Sequence, residues 1–320
     1  MMASSQQGKS EQLNRGTGLL IIEVRHSNPN GDPDTESDPR MMDADGRGLI
    51  SPVSFKRKLR DLVASKKGPA WQAVEAGLGV DNRKGAHQFD ILETRGRDRD
   101  TIWEMEAQAF CNKYWDARLF GNTFLESMKE KGGQDTGTGK TKKSKTAGSK
   151  DHFIGTGVVQ FGVGLSVAPI DVERLSLTNK QGVEGDKDRG MAPLGWRVVR
   201  HAVYAMPFFV NPMMALKTDC DCLDVDIMKF LIPHAYRNTT SAIRPFVEIR
   251  HAWYAEHKNP LGSCPDSLIL DALTPTKRHG EPDAPSTTIE DYDIPVSLND
   301  EVRGRLASFE DLCMKEWGSQ

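Results

Sequence analysis

The chain has 320 residues, of which 27% are charged and 38% hydrophobic, as expected for a globular protein with one large domain or two modest ones. Its formal net charge of −3 gives no overall attraction to nucleic acid, so any basic surface must be local. No run approaches the roughly 20 apolar residues of a membrane span, which favours a cytoplasmic protein with no membrane partner.

Residues 1–17 are polar, lack the apolar core of a secretory signal and are predicted to form a disordered tail. The five cysteines are scattered, and the only close pair is Cys220 and Cys222. Because no second pair of cysteines or histidines flanks this pair at metal-ligand spacing, we expect reduced thiols, no metal and no other cofactor.

The first predicted element is an apolar strand, Leu19–Val24, followed by a tight loop, Ser27–Asp34, and a second turn, Asp43–Gly48. A helix then begins with Ser51 as its N-cap and Pro52 at its first position. A buried strand, a turn rich in Asn, Asp, Gly and Pro, and a basic helix together make a good place to hold a phosphate chain.

This helix has one apolar face and a basic rim. At 3.6 residues per turn, its apolar stripe consists of Phe55, Leu59, Leu62 and Val63. Lys56 and Arg60 share one flank, Arg57 lies just beyond them, and Lys58 lies on the other flank. Many solvated helices show the same pattern, and the residues alone favour that plainer interpretation.

Residues 68–100 are irregular and rich in Gly, Arg and Asp, which predicts a loop-rich insertion. Thr101 and Glu104 form a capping-box signature for a helix that ends near Asp116. Residues 129–152 are low in complexity and basic, which predicts a mobile loop. Part of this loop, at 138–141, echoes a phosphate-binding P-loop but lacks its glycine spacing and its preceding strand.

The clearest strand pattern is at residues 159–167, where apolar side chains alternate with small or polar ones. Gly162 and Gly164 fall on one face, where either a neighbouring strand or a ligand can come close. Residues 167–195 lack core periodicity and can form a protruding hairpin before a second long strand, Trp196–Val210.

The remaining pattern predicts a helix capped by Asp224, an alternating strand at Phe246–His257, a last strand at Leu268–Leu270 and a closing helix at Leu298–Trp317. Most of the strands follow one another with only loops or single helices between them. The order therefore predicts an α+β fold with antiparallel pairing.

Several motifs follow one another in a recognisable order. Asn28–Asp34 comes after the first strand, then Lys56–Arg60, and then the segments 116–121, 157–162, 166–170 and 195–199. In this order they resemble the backbone subunit of CRISPR Cascade, the seventh Cas family, in its type I-B and I-C branch. The resemblance runs from about Leu19 to His257.

This resemblance implies an RRM-like (ferredoxin-like) palm at 18–257, with finger insertions at 68–100, the mobile loop at 129–152 and a long thumb β-hairpin at 167–195. Residues 258–320 then form an extension that packs on the palm. The implied partners are CRISPR guide RNA, further copies of the chain in a helical filament, other Cascade subunits, and target DNA through pairing with the guide. Such subunits have no catalysis of their own, so we expect no enzyme activity.

A filament that binds a guide of any sequence must contact phosphates and sugars rather than base edges. The implied RNA-binding residues are Asn28, Asn30, Lys56, Arg57, Lys58, Arg60, Arg118, Gln160, Gly162, Gly164, Arg189, Met191 and Leu194. The basic side chains would pair with phosphates, the two asparagines would offer amides, and the two glycines would let the RNA backbone approach the sheet. Met191 or Leu194 would be the apolar wedge with which the thumb displaces a base.

Two alternatives stay open. Type III backbone subunits resemble this family and cleave target RNA with an acidic loop residue and a divalent metal, and four carboxylates follow the first strand: Asp32, Asp34, Asp43 and Asp45. Against this, the same segment is typical turn chemistry. The second alternative is a structural subunit that binds only protein, as the net charge of −3 suggests.

Overall fold

The structure, a computed structural model, describes residues 12–80, 87–122, 155–179, 192–278, 281 and 283–317. Within this part of the chain, no helix is long and apolar enough to cross a membrane. Strands and helices are mixed, and the strands of the main sheet pair antiparallel, as predicted for an α+β fold.

The strands are β1 (Gly16–Ser27), β2 (Gly31–Asp32), β3 (Asp38–Pro39), β4 (Arg47–Ile50), β5 (Val159–Phe161), β6 (Gly164–Pro169), β7 (Val172–Asn179), β8 (Ala192–Val210), β9 (Phe246–His257), β10 (Thr276–Lys277), β11 (Tyr292–Asp293) and β12 (Leu306–Asp311). The helices are α1 (Pro52–Ala64), α2 (Pro69–Leu78), α3 (Arg99–Glu104), α4 (Ala107–Lys113), α5 (Trp115–Phe120), α6 (Ala215–Thr218), α7 (Cys222–Leu231), α8 (Asp266–Leu273), α9 (Asp300–Gly304) and α10 (Leu312–Trp317).

The main sheet has eight strands in the order β12-β9-β1-β8-β6-β4, with β5 and β7 also paired to β8. β1 lies between β8 and β9, where Leu20 is opposite Met206 on one side and Ala252 on the other. The apolar residues of β1 are buried on both faces of the sheet, which explains why its sequence is continuously apolar and does not alternate with polar residues. The predicted strand at Phe246–His257 is confirmed with the same bounds as β9.

One face of the sheet packs against α1, α2 and α7. Ser51 caps α1 by accepting a hydrogen bond from the backbone N–H of Ser54, and Pro52 occupies the first turn, as predicted. The apolar stripe of α1 reaches the sheet through Phe55, whose ring centroid lies 5.0 Å from that of Phe161. The first layer of helices is thus fixed to the sheet by an aromatic contact.

The other face is covered by the chain that follows β9. Ile269 and Leu273 of α8, with Tyr292 and Leu298, form a second apolar cluster on Leu19, Ile21, Val203 and Trp253 of the sheet. Two predictions are wrong here. The segment at 268–270 lies in a helix, and the region predicted as one closing helix is divided into α9, β12 and α10, because β12 pairs with β9 at the edge of the sheet.

The region predicted as one helix from Thr101 to Asp116 is three short helices, α3, α4 and α5. Its N-cap is Asp98, whose side chain accepts hydrogen bonds from the backbone N–H groups of Asp100 and Thr101. Similarly, α7 is capped by Asp221, while Asp224 is the third helical residue and completes the capping box. In both places the N-cap is an aspartate three residues before the predicted one: Asp98 caps the helix in place of Thr101, and Asp221 in place of Asp224.

A buried ion pair joins α5 to α7. Arg118 is 0% exposed and donates from Nε and Nη2 to the two carboxylate oxygens of Asp224, at 2.8 and 2.7 Å. Its remaining N–H groups reach the backbone carbonyls of Cys111, Asn112 and Gln88. Burial opposes the charge, but the hydrogen bond and the charge of Asp224, together with the nearby acidic groups, outweigh burial, so the pKa of Arg118 is raised.

Removal of this guanidinium should be strongly destabilising. We expect Arg118→Ala to lower the free energy of unfolding by about 3–5 kcal/mol, because it leaves the Asp224 carboxylate buried without its partner. Arg57→Ala is the control, since the Arg57–Asp61 pair is about half exposed and should contribute about 1 kcal/mol or less. Urea unfolding of both variants measures the difference, and an equal loss in the two would contradict a structural role for Arg118.

Candidate nucleic-acid interface

A groove of about 650 Å³ lies beside the N-terminal half of α1. Four sections of the described chain wall it: α1, the segment at 93–95, the end of α5 with Gly121 and Asn122, and Gly155. The basic residues that line it are Lys56, Arg57, Arg60 and Arg95. Against these four cations the described part of the lining includes one carboxylate, Glu93, which is itself paired with Arg97 at 3.2 Å.

The helical wheel predicted which basic residues of α1 act together. Lys56, Arg57 and Arg60 all line the groove, whereas Lys58 does not. The reason is the period of the helix: the apolar stripe through Leu59 fixes which side of α1 meets the core, and Lys56 and Arg57 lie four and three residues before Arg60, so both are its neighbours on the helix surface. The groove therefore confirms the predicted grouping.

The four cations differ in how far they are already neutralised. Arg57 pairs with Asp61 at 2.8 Å and donates to the carbonyl of Glu93, and Arg60 donates from Nε to Asp116 at 2.7 Å. Within the described chain, neither Lys56 nor Arg95 forms an ion pair with a carboxylate. Burial lowers the pKa of Lys56, and the nearby Arg60 lowers it further. An anion in the groove would offset both effects.

Phe120 and Gly121, which line the groove, are positioned by a contact between two of the recognised motifs. Gly121 has φ +76°, and a Cβ on Gly157 would lie 2.2 Å from the Gly121 nitrogen, so only glycines allow these two backbones to meet. The chain thereby brings Phe120 under the α1 cations, with the Lys56 Nζ 5.7 Å and the Arg60 Cζ 5.2 Å from its ring centroid. The motifs at 116–121 and 157–162 are thus adjacent in space because their backbones pack together.

Sequence reasoning missed two residues of the groove, Arg95 and Asn122. Asn122 is 8% exposed, and within the described part of the chain neither its Nδ2 nor its Oδ1 has a hydrogen-bond partner. Its position directly after the Asp116–Gly121 motif was the only available signal. Arg95 lies in the predicted insertion among residues of mixed charge, and nothing in that pattern separates it from its neighbours.

Asn28 and Asn30 were predicted to offer amides to RNA, and the structure corrects this. Asn28 is 2% exposed, and its Nδ2 donates to the carbonyls of Ser37 and Arg197. The Oδ1 of Asn30 accepts from the backbone N–H of Ser51 at 2.7 Å, which ties the loop to the start of α1. Both amides fix the loop, so their contribution to the groove is to position α1.

Lys58 and Arg118 are also corrected. Lys58 is 6% exposed, donates to Ser54, and lies 5.0 Å from the ring centroid of Tyr236. Burial, assisted by Arg244, lowers its pKa to about 8. Arg118 is sealed in the core with its donors occupied, as described above. Neither side chain is free to contact a phosphate.

The three predicted contacts on the sheet have local partners. Gln160 donates to the carbonyl of Gly157. A Cβ on Gly162 would lie 2.9 Å from Pro207, and one on Gly164 would lie 2.9 Å from Met206, so the close neighbour is β8. The alternation also changes face between β5 and β6, leaving Val163 43% exposed. Of the two possibilities for these glycines, the structure supports the neighbouring strand and not the RNA backbone.

The predicted thumb hairpin is partly described. β7 pairs antiparallel with the first part of β8, from Val172 opposite Val199 to Asn179 opposite Ala192. Arg189 and Met191 lie outside the described residues, as do the basic loop at 129–152 and most of the tail at 1–17. The backbone of Leu194 is part of β8, but its side chain is not among the parts of the chain that the structure describes.

The carboxylates that follow β1 act as turn and cap residues. Asp32 accepts from the backbone N–H of Asp34 and pairs with Arg40 at 3.4 Å, and Asp45 binds the side chain and backbone N–H of Arg47. The described residues do contain one group able to approach a metal together, His87, Asp221 and Asp224, and it includes no residue of this loop. Asp224 in that group is already bound by Arg118.

Comparison with known proteins gives the family. The family model for CRISPR-associated protein Cas7 matches residues 14–297, so the chain belongs to the Cas7 family. A Cas7 protein of Haloferax volcanii is 30% identical over 126 residues, which are 37% of this chain and 35% of that relative. The match thus spans about a third of the curated relative. The family predicted from the ordered motifs is confirmed.

Solved structures show weaker likeness. A CRISPR RNA-guided surveillance complex in a pre-nicking state contains a chain with a TM-score of 0.43 and 14% identity, covering 75% of this chain and 78% of that one. A second surveillance complex gives 0.41 and 16%, covering 81% and 75%. A type III-B Cmr-beta complex bound to cognate target RNA gives 0.37 and 9%, covering 76% and 61%. At these TM-scores the family assignment rests on the sequence matches alone.

The buried Lys58 gives a pH-dependent prediction. Its pKa is about 8 in the fold against 10.5 for an ordinary lysine, so between these values the unfolded chain binds more protons and stability rises with pH. We expect Lys58→Met to be more stable than the wild type at pH 7, and this gain to shrink by about 2 kcal/mol at pH 9.5.

Urea unfolding at the two pH values tests this, with Lys67→Met as the control because Lys67 is exposed. A gain that is the same at pH 7 and pH 9.5 would show that Lys58 is not held at a lowered pKa.

Proposed function

We propose that the chain is a guide-RNA-binding backbone subunit of a CRISPR effector complex of type I. The observation that carries this proposal is the groove beside α1, where four cations face one carboxylate in a chain whose formal net charge is −3. Local positive charge of this kind attracts a phosphate chain whatever its base sequence. The family membership makes CRISPR guide RNA the fitting ligand.

The topology supports an RRM-like (ferredoxin-like) description of the palm. Within the sheet, β9-β1-β8-β6 are neighbours in that order, α1 follows β1, and α7 connects β8 to β9. Both helices pack on the same face, as the βαββαβ arrangement requires. Segments that depart from this plan include α2 to α5, of which only α2 and the start of α3 fall in the region of the proposed fingers at 68–100, and the β7–β8 hairpin, in the region of the proposed thumb.

On this proposal, further copies of the chain bind one guide side by side, other subunits complete the complex, and target DNA pairs with the presented bases. The subunit acts in the cytoplasm and is not an enzyme. The alternative, metal-dependent cleavage of target RNA at the acidic loop, is weakened by the use of Asp32 and Asp45 as turn caps. Cleavage of paired RNA that is abolished by Asp32→Ala would favour that alternative.

The direct test is co-expression of the chain with a CRISPR array, followed by purification and sequencing of bound nucleic acid. We expect repeat-spacer RNA of regular length with periodic protection from nuclease, because equal copies cover equal lengths of guide. Purified protein that carries no RNA, or random RNA without periodic protection, would contradict the proposal.

The two unpaired cations of the groove should carry much of the binding. We expect Lys56→Ala combined with Arg95→Ala to weaken RNA binding by about tenfold or more for all sequences alike. The slope of log affinity against log salt should fall by about 1.4, or roughly 0.7 for each lost phosphate contact. Fluorescence anisotropy with labelled RNA at several salt concentrations measures both quantities.

Lys67→Ala combined with Arg303→Ala is the matched control, since it removes two exposed cations that do not line the groove. If the control weakens binding as much as the groove variant, the groove is not the binding site. A loss confined to one RNA sequence would indicate base recognition and would equally contradict the proposal.

A further inference from the structure

Asn122 is an anomaly in the wall of the groove. Both polar atoms of its side chain are buried, and neither has a hydrogen-bond partner among the residues that the structure describes. Buried side-chain amides in folded proteins are nearly always bonded, because an amide removed from water without a partner is costly. The residue lines the same groove as Lys56 and Arg60, so a ligand placed there is next to the unsatisfied amide.

The amide limits what the ligand can be. Its Nδ2 needs an acceptor and its Oδ1 needs a donor. A phosphodiester offers acceptor oxygens only, so it would leave Oδ1 unsatisfied. A ribose 2′-hydroxyl both donates and accepts, and it is present at every nucleotide of RNA and absent from DNA. A base edge also offers donors and acceptors, but it would make binding depend on sequence, which a guide-binding groove has to avoid.

Lys56 and Arg60 determine where such a ribose would lie. Lys56 lacks a carboxylate partner, and Arg60 uses only Nε on a described acceptor, so its outer nitrogens are available to a phosphate. A phosphate held there brings its own ribose into the groove beside Asn122. The amide can turn toward this sugar because the terminal torsion of asparagine has a broad energy profile.

From this arrangement we infer that Asn122 is a specificity-determining residue that binds the ribose 2′-hydroxyl of the nucleotide whose phosphate Lys56 and Arg60 hold. The groove thereby distinguishes RNA from DNA through the sugar and not through the base. This inference rests on the proposed function, since it concerns the same groove and the same ligand.

The test compares three labelled strands of one sequence, as RNA, as DNA and as 2′-fluoro RNA, bound to the purified full chain in fluorescence anisotropy. The 2′-fluoro strand keeps an RNA-like sugar shape but has no hydroxyl donor. We expect the wild type to bind RNA about tenfold more tightly than either analogue. Asn122→Ala should lose about tenfold in affinity for RNA and change by less than about twofold for DNA and 2′-fluoro RNA.

Asn238→Ala is the matched control, because Asn238 is exposed and does not line the groove. It should change none of the three affinities. The melting temperature separates binding from a structural role. Removal of an unpaired buried amide should leave it unchanged or raise it, whereas the loss of a structural amide would lower it.

The outcomes are distinct. Equal weakening of RNA and DNA binding by Asn122→Ala, or no effect of the substitution, would overturn the inference. Wild-type protein that binds RNA, DNA and 2′-fluoro RNA equally would also overturn it while leaving the proposed function intact. Wild-type protein that binds none of the three strands, and carries no RNA after co-expression with a CRISPR array, would instead remove the proposed function itself.

Discussion

One buried carboxylate, Asp116, holds the groove together. It accepts hydrogen bonds from Arg60 on α1 and from the backbone N–H groups of Leu92 and Glu93, while its own backbone belongs to α5. These are three of the four described sections of chain that wall the groove. A carboxylate that is 1% exposed is stable only with such partners, so the position of α1 relative to the other two walls follows from satisfying one charge.

The basic residues likewise differ in how far partners within the fold already satisfy their charge. Arg118 and Lys58 are buried with their donors occupied, and Arg60 gives one nitrogen to Asp116. Arg118 and Lys58 therefore have little left for a ligand, whereas the outer nitrogens of Arg60 have no described acceptor and can still bind a phosphate. Lys56 is different, since its neighbours are Phe120 and Arg60, and burial already lowers its pKa. A phosphate beside Lys56 would favour the charge that burial and Arg60 oppose, so the surroundings that disfavour this ammonium in the free protein favour the binding of an anion.

Features fixed by local sequence were predictable. The cap of α1, its apolar stripe and the flank shared by Lys56 and Arg60 depend on residues a few positions apart, and all three appear in the structure. Roles fixed by distant partners were not predictable. The bond from Asn28 reaches Arg197, 169 positions away, and that of Arg118 reaches Asp224, 106 positions away. From the sequence alone, a basic or amide residue in a motif is therefore predicted to bind the ligand, even where its side chain is already hydrogen-bonded within the fold.

On the proposed function, the covering of the second sheet face explains why RNA would bind in a groove. An RRM-type sheet with an open face can stack bases on its strands, but here α8 and Tyr292 close that face over Leu19 and Trp253. On the proposed function, the guide is then excluded from the sheet and is left with cations and one amide beside α1. Those groups bind phosphate and sugar, which every nucleotide shares, and they leave the base edges unengaged. A protein that presents a guide for pairing needs the base edges to stay free. On this proposal, the segment after β9 therefore contributes to function by covering one face of the sheet.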